Sequence, residues 1–126
     1  MLYDSTFLIH LAGQRGRGSQ TAARRFLDSW PDDPVYTSRG AWAEFAEGCE
    51  TEEIVARLLA PFSIIEVNEK VAWTASRISR DLARRGLPIG DNDVWIAATA
   101  LAYRMPLVSR NARHFDRMPG LLIEEY

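Results

Sequence analysis

Four oxygen-bearing side chains stand where a fold could bring them together: Asp4, Glu44, Asp93 and Asn111. Asp4 follows the apolar opening Met1-Leu2-Tyr3 and precedes Ser5-Thr6, so it either caps a helix or offers a carboxylate at the end of a strand. Glu44 is flanked by Trp42, Ala43 and Phe45 and has a solvated helix face as its plainer use. Asp93 opens an apolar run, where the positive end of a helix favours a carboxylate on its own account. Asn111 follows the strand-like stretch Pro106-Leu107-Val108-Ser109. Carboxylates gathered at one point repel, and without a cation at least one is held protonated. A hard divalent cation removes that cost, takes oxygen ligands and, as magnesium, keeps several of its waters. Such an ion can acidify bound water, orient a phosphate and neutralise a leaving oxygen. Zinc has no support, because His10 and His114 are far apart and Cys49 stands alone.

Other polar residues have two readings each. Ser5 and Thr6 cap a helix, or hold the Asp4 carboxylate or a phosphate. Arg110 forms a surface ion pair or reaches a nucleic-acid backbone. Asp91 and Asp116 are further acids near the same stretches. Arg15, Arg17, Arg84 and Arg85 read as solvated surface, His114 as structural or exposed, and Trp42, Trp73 and Trp95 as packing residues.

Alternating strands and helices must position these groups. Met1–Tyr3, Val35–Thr37, Phe62–Ile65, Pro106–Ser109 and Leu121–Ile123 read as strands. A glycine- and arginine-rich loop spans Gln14–Ser19, with Ser19 as the candidate cap of a helix through Ala22, Ala23, Phe26, Leu27 and Trp30. Ser38 starts a helix running to Gly48, and Thr51–Leu59 forms another before Pro61. The plainest helix is Asn68–Arg85, with Val71, Ala75, Ile78 and Leu82 on one face and Gly86 as its stop. Val94–Tyr103 is a helix rich in alanine, and Asn111–Asp116 a short helix or turn. This order predicts an α/β domain in three layers, α/β/α, with a largely parallel central sheet. Sites in such sheets form beyond the carboxyl ends of the strands. Asp4 and Asn111 lie there directly, and Asp93 and Glu44 are placed at the same edge as residues near helix starts.

The bulk composition sets limits. A chain of 126 residues with 47% apolar content builds one ordinary domain, taken as 1–126. A single cysteine excludes an internal disulfide and suits a reducing compartment. No apolar stretch reaches membrane-spanning length and no basic segment precedes an apolar one at the N-terminus, so the expected location is cytoplasmic. A net charge of −2 argues against a protein that coats nucleic acid. Lys70 is the only lysine, and the other basic residues are arginines, which suit bidentate phosphate contacts.

The motifs occur in a known order. Asp4-Ser5-Thr6-Phe7-Leu8-Ile9 resembles the opening of PIN-domain nucleases, and Ala43-Glu44-Phe45-Ala46-Glu47-Gly48 their second motif. Ile89-Gly90-Asp91-Asn92-Asp93-Val94-Trp95-Ile96-Ala97-Ala98 is similar to the third, an aspartate three residues before Ile-Ala-Ala. Leu107-Val108-Ser109-Arg110-Asn111, followed by His114-Phe115 and Pro119-Gly120-Leu121, is similar to the C-terminal stretch. The resemblance covers the whole chain and points to the VapC-like toxins of toxin–antitoxin pairs. It implies an endoribonuclease dependent on Mg2+ or Mn2+, with Asp4, Glu44 and Asp93 as the acidic cluster and Asp4 and Asp93 as metal ligands. Where the family often has a further acid, this chain has Asn111, with Asp91 and Asp116 as substitutes. It also implies an RNA substrate, an antitoxin partner that covers the pocket, and a homodimer. Two rivals keep the fold: a solitary RNA-processing nuclease, and a module that binds RNA or a partner with weakened catalysis. A signalling receiver domain lacks its late lysine, and no glycine-rich phosphate loop is present.

Overall fold

The computed structural model describes residues 1–126. Five short strands form one sheet: β1 (Leu2–Tyr3), β2 (Tyr36–Ser38), β3 (Ser63–Ile65), β4 (Leu107–Val108) and β5 (Ile123–Glu124). Seven helices flank it: α1 (Ser5–Leu11), α2 (Arg17–Asp28), α3 (Arg39–Ala46), α4 (Glu52–Leu58), α5 (Glu69–Arg84), α6 (Asp91–Ala102) and α7 (Ala112–Phe115). The spatial order is β3-β2-β1-β4-β5, and every neighbouring pair is parallel. Parallel neighbours need a crossover, which is why helix stands between each strand and the next. The expected α/β/α layering is present, with a sheet wholly rather than largely parallel.

β1 is the central strand. Leu2 pairs with Tyr36 on one side and Leu107 on the other, and Tyr3 with Thr37 and Val108. Leu2, Tyr3, Leu107 and Val108 are fully buried, as expected for strands covered on both faces. Tyr3 joins Phe7, Phe26, Phe62 and Tyr126 in an aromatic cluster, with Tyr3 and Phe7 centroids 4.5 Å apart and Phe7 and Tyr126 4.7 Å apart. Truncating an aromatic side chain in such a core costs about 3–5 kcal/mol.

The strand order also locates a crevice. From β1 the chain adds β2 and β3 on one side, then returns to add β4 and β5 on the other. The reversal between β1 and β4 is a switch point, where helices diverge and leave room for a ligand past the strand ends. Asp4 is the first residue beyond β1 and Ser109 the first beyond β4.

A second apolar cluster holds α5 against α6, through Val71 and Ala75 on one helix and Val94, Ala98 and Ala102 on the other. α5 starts at Asn68, whose side chain accepts a bond from the Val71 amide at 3.0 Å. It stops at Gly86, whose φ of +65° is open to glycine at no steric cost, while the Leu87 amide bonds back to the Leu82 carbonyl. α6 is buried on several sides, at Val94, Ile96, Ala97, Ala98, Thr99, Ala100 and Ala102, so its small residues let both α5 and the rest of the core approach.

Several expected boundaries move. α2 begins at Arg17 after Gly16, not at Ser19, because the Gln20 amide already bonds the Gly16 carbonyl. α3 ends at Ala46 rather than Gly48. α6 takes in Asp91 and Asn92, so Asp93 sits inside its first turn. β5 lies at Ile123–Glu124, since the Leu121 amide is spent on Met118 in a turn and the ladder to β4 runs through Leu122 and Glu124. No helix is long and apolar enough to cross a membrane.

Candidate active site

Asp4 serves both of its possible roles at once. Its Oδ1 accepts the Phe7 amide at 2.8 Å, which caps α1, and its Oδ2 accepts the Ser109 hydroxyl at 2.5 Å across the switch point. Ser109 Oγ in turn accepts the Asn111 amide at 2.9 Å. Asp4 is only 3% exposed. Burial pushes its carboxyl up to about 6; the bonds from Ser109 and Phe7 pull the other way, and the charges of Asp93 and Glu44 push it further up. Those last two influences place all three acids within one electrostatic neighbourhood.

Glu44 lies in the second turn of α3, not near its start as expected. Its Oε2 accepts the Ser5 hydroxyl at 2.7 Å and the Asn92 amide group at 2.6 Å. Both donors fall on one oxygen, so Oε1 has no protein partner. Ser5 follows Asp4 and Asn92 precedes Asp93, so the first three motifs are tied through a single carboxylate oxygen. Gly40 makes this possible: a Cβ there would stand 2.9 Å from Asn92 Oδ1 and 3.7 Å from the Trp95 Cβ.

Asp93 is partly open, with 25% of its side chain exposed. Its Oδ2 lies 3.2 Å from His114 Nδ1, which also meets the Asn111 side-chain amide at 2.9 Å. One ring nitrogen satisfies both neighbours when it carries the proton and the Asn111 carbonyl faces it, an orientation the amide's symmetry of shape permits. Asn111 is thereby linked to Asp4 through Ser109 and to Asp93 through His114. Asp4, Asn111 and Asp93 thus share one hydrogen-bonded chain through Ser109 and His114, while Glu44 forms a separate one with Ser5 and Asn92, the chain neighbours of Asp4 and Asp93.

Other expectations fare differently. Ser5 reaches Glu44, while Thr6 is half-buried with no side-chain bond. Arg110 is held neither by an acid nor in isolation: its Nε donates to the Tyr126 carbonyl at 3.0 Å and its guanidinium lies 4.6 Å from the Tyr126 ring centroid. Asp91 is exposed and lines a cleft with Ala72, Ser76, Ser79 and Trp95 between α5 and α6, apart from the network. Asp116 is exposed at the end of α7 and bonds to none of the four. Three residues of the network were not foreseen in these roles: Ser109, Asn92 and His114. Position alone marked two of them, as the first residue past a strand and the neighbour of an acid. His114 stands one helical step from Asn111, a spacing that puts two side chains on one face.

No three His, Cys, Asp or Glu side chains close around a common point as a ready-made cage. The donors are nevertheless all hard oxygens, and the raised Asp4 carboxyl marks a buried negative charge that protein bonds leave incompletely balanced. That suits a hard divalent cation that keeps part of its water shell.

The family model of the PIN domain matches residues 1–121. The chain belongs to the PIN-domain family. Ribonuclease VapC1 of Haemophilus influenzae (strain R2866) is 25% identical over an alignment of 135 residues that takes in 100% of this chain and 98% of that protein. Among solved structures, VapBC2 from Rickettsia felis bound to a DNA fragment from its promoter superposes with a TM-score of 0.82 at 23% identity, covering 99% of this chain and 98% of that one. VapBC-1 from nontypeable Haemophilus influenzae gives 0.77 at 28% identity, over 99% and 98% of the two chains. In this PIN domain the strand order puts the switch point between β1 and β4, where Asp4 and Ser109 meet.

Proposed function

We propose that this PIN domain is a divalent-metal-dependent endoribonuclease that cuts RNA phosphodiester bonds, and the toxin of a toxin–antitoxin pair. The observation that carries the reading is the buried Asp4 carboxylate at the switch point, bonded to Ser109 and loaded by the charges of Glu44 and Asp93. The relatives named above as a ribonuclease and as VapBC complexes supply the biological class. PIN-domain nucleases generally use divalent metal ions; Mg2+ or Mn2+ is the choice that the all-oxygen donors favour.

Asp4 and Asp93 are the ligands in this reading. When bound, the cation supplies Lewis acidity, an acidified water and charge neutralisation at the scissile phosphate. The chain's own residues do the positioning. Ser109 and the α1 amide fix the Asp4 carboxylate, and Ser5 and Asn92 fix Glu44 with one oxygen free to accept a proton or a water. His114 and Asn111 orient Asp93. The terminal nitrogens of Arg110, next to Asn111, are left for the RNA backbone.

The antitoxin's seat is the apolar hollow between α1, α2 and α4, lined by Leu8, Leu11, Leu27, Leu58 and Pro61 and continuing to Trp30, which is 48% exposed. A homodimer in the cytoplasm completes the proposal.

Cleavage of a fluorescent RNA by the purified protein tests the chemistry. Excess chelator is expected to abolish it, and manganese to restore it at least as well as magnesium. Activity undiminished in excess chelator would sink the metal mechanism. The clamp on Glu44 is tested separately. Gly40→Ala is expected to displace Asn92 and to cost about 10- to 100-fold in cleavage, the usual effect of losing a residue that orients a metal-site group. Its melting temperature should stay near wild type, because the contact it disturbs is a partly exposed side chain. Unchanged cleavage by Gly40→Ala would show that Asn92 does not position Glu44.

A further inference from the structure

The face of α5 that points away from the core carries a row of cations. Lys70, Trp73, Arg77, Arg80 and Arg84 are all exposed. At 100° per residue they fall within an arc of about 80°, opposite the buried Val71, Ala75 and Leu82 and the half-buried Ile78. From Lys70 to Arg84 the row runs about 21 Å along the axis. None of its four cations takes part in an ion pair; the pairs in the molecule are Met1–Asp33, Arg39–Glu66, Arg85–Asp81 and His114–Asp93. Glu69 lies in the first turn of the helix, and Asp81 is already engaged by Arg85. Trp73 is 63% exposed, and the Arg77 guanidinium lies 4.3 Å from its ring centroid. Lys70 leans on the Tyr103 ring at 5.4 Å.

The row has a direction. Asn68 and Lys70, at the start of α5, touch Tyr103 at the end of α6, so the two packed helices run antiparallel. Arg84 therefore lies at the end of the pair where α6 begins with Asp91, Asn92 and Asp93.

We propose that this face of α5 is a track for the sugar-phosphate backbone of single-stranded RNA, with Trp73 as a stacking platform, leading toward the acidic pocket. The inference rests on the nuclease reading above and adds where the substrate lies beyond the cut. Unpaired cations at one-turn intervals suit a polyanion, and an exposed indole beside an arginine suits a base of any identity. A second copy of this chain fits less well: a two-fold contact through this face would set the same cationic row against itself. In a chain of net charge −2, four unpaired cations thus share one face of one helix, apart from the acids at the switch point.

The test uses the chain 1–126 carrying Asp93→Asn, without metal, so that RNA is bound and not cut. A fluorescein-labelled single-stranded RNA of mixed sequence is titrated by anisotropy across a series of salt concentrations. Arg77→Gln/Arg80→Gln/Arg84→Gln is expected to weaken binding at least about tenfold and to reduce the slope of log K against log salt by about 2, which is three phosphate contacts in single-stranded RNA. Trp73→Ala alone is expected to weaken binding about tenfold with the slope unchanged. All four positions are exposed, so the variants keep the core. An unchanged slope and affinity in the triple variant overturns the track. So does an unchanged slope accompanied by loss of an oligomer in light scattering, which assigns the face to a second copy. If the chain with its arginines intact binds no RNA and the wild type cuts none, the nuclease reading itself falls.

Discussion

Asp93→Asn is expected to reduce RNA cleavage by about 100-fold or more while leaving the fold intact. Residues that only orient a metal ligand already contribute 10- to 100-fold, so a direct ligand contributes at least that. The substitution keeps the shape of the side chain and removes its charge. In the first turn of α6 the lost carboxylate gives up about 0.3–1 kcal/mol of favourable interaction with the helix dipole. Relief of repulsion toward Asp4, whose carboxyl feels the charge of Asp93, offsets this. The melting temperature without metal should therefore stay close to wild type, while cleavage and manganese-dependent stabilisation are both lost. Full activity in this variant would refute the assignment of Asp93.

Asp4→Asn is expected to stabilise the metal-free protein at neutral pH, although it disables the site. The folded chain holds the Asp4 proton up to about pH 6, whereas an unfolded aspartate releases it near 3.8. Between those values the folded state binds more protons than the unfolded one, so Asp4's contribution to stability falls as pH rises through the window. A displacement of that size corresponds to about 3 kcal/mol once the group is ionised. Asparagine keeps an oxygen for the Phe7 amide and carries no charge to bury. The difference in unfolding free energy between Asp4→Asn and wild type, measured by urea melts in chelator, should therefore grow in the variant's favour from pH 4 to pH 7. Added manganese should close the gap by stabilising only the wild type, through binding to the native state. A difference that stays flat across that range would show that Asp4 is not a strained carboxylate.

The architecture was legible because its signals are local and periodic. Asn68, Val71, Ala75, Leu82 and Gly86 mark α5 from cap to stop, and the structure places them as the pattern predicts. Boundaries failed where a glycine or a turn competes with the pattern: Gly16 starts α2 before Ser19, and the turn at Met118–Leu121 delays β5. Of the four expected site residues, Asp4, Asn111 and Asp93 are linked by hydrogen bonds, and Glu44 is held beside them through Ser5 and Asn92. What spacing could not reveal is the set of groups that hold them, because these depend on contacts between segments far apart in the chain. Ser109 meets Asp4 because β4 lies beside β1, and Asn92 reaches Glu44 past residue 40, where a Cβ would stand 2.9 Å from its Oδ1. His114 read as an ordinary surface residue; that Asp93 and Asn111 converge on one ring nitrogen is a property of the folded loop. Arg110 was read through its charge alone, and the aromatic ring and carbonyl of Tyr126 that hold it gave no sign in the sequence.

The central position of β1 has a consequence for biosynthesis. Once made, β1 must wait for Leu107 and Val108 before one of its two flanks is filled, and Asp4 waits equally for Ser109. Contacts this distant in sequence close late. A nascent chain therefore carries an unfinished pocket until β4 has emerged, about a hundred residues after Asp4, so whatever this pocket does begins only after that point.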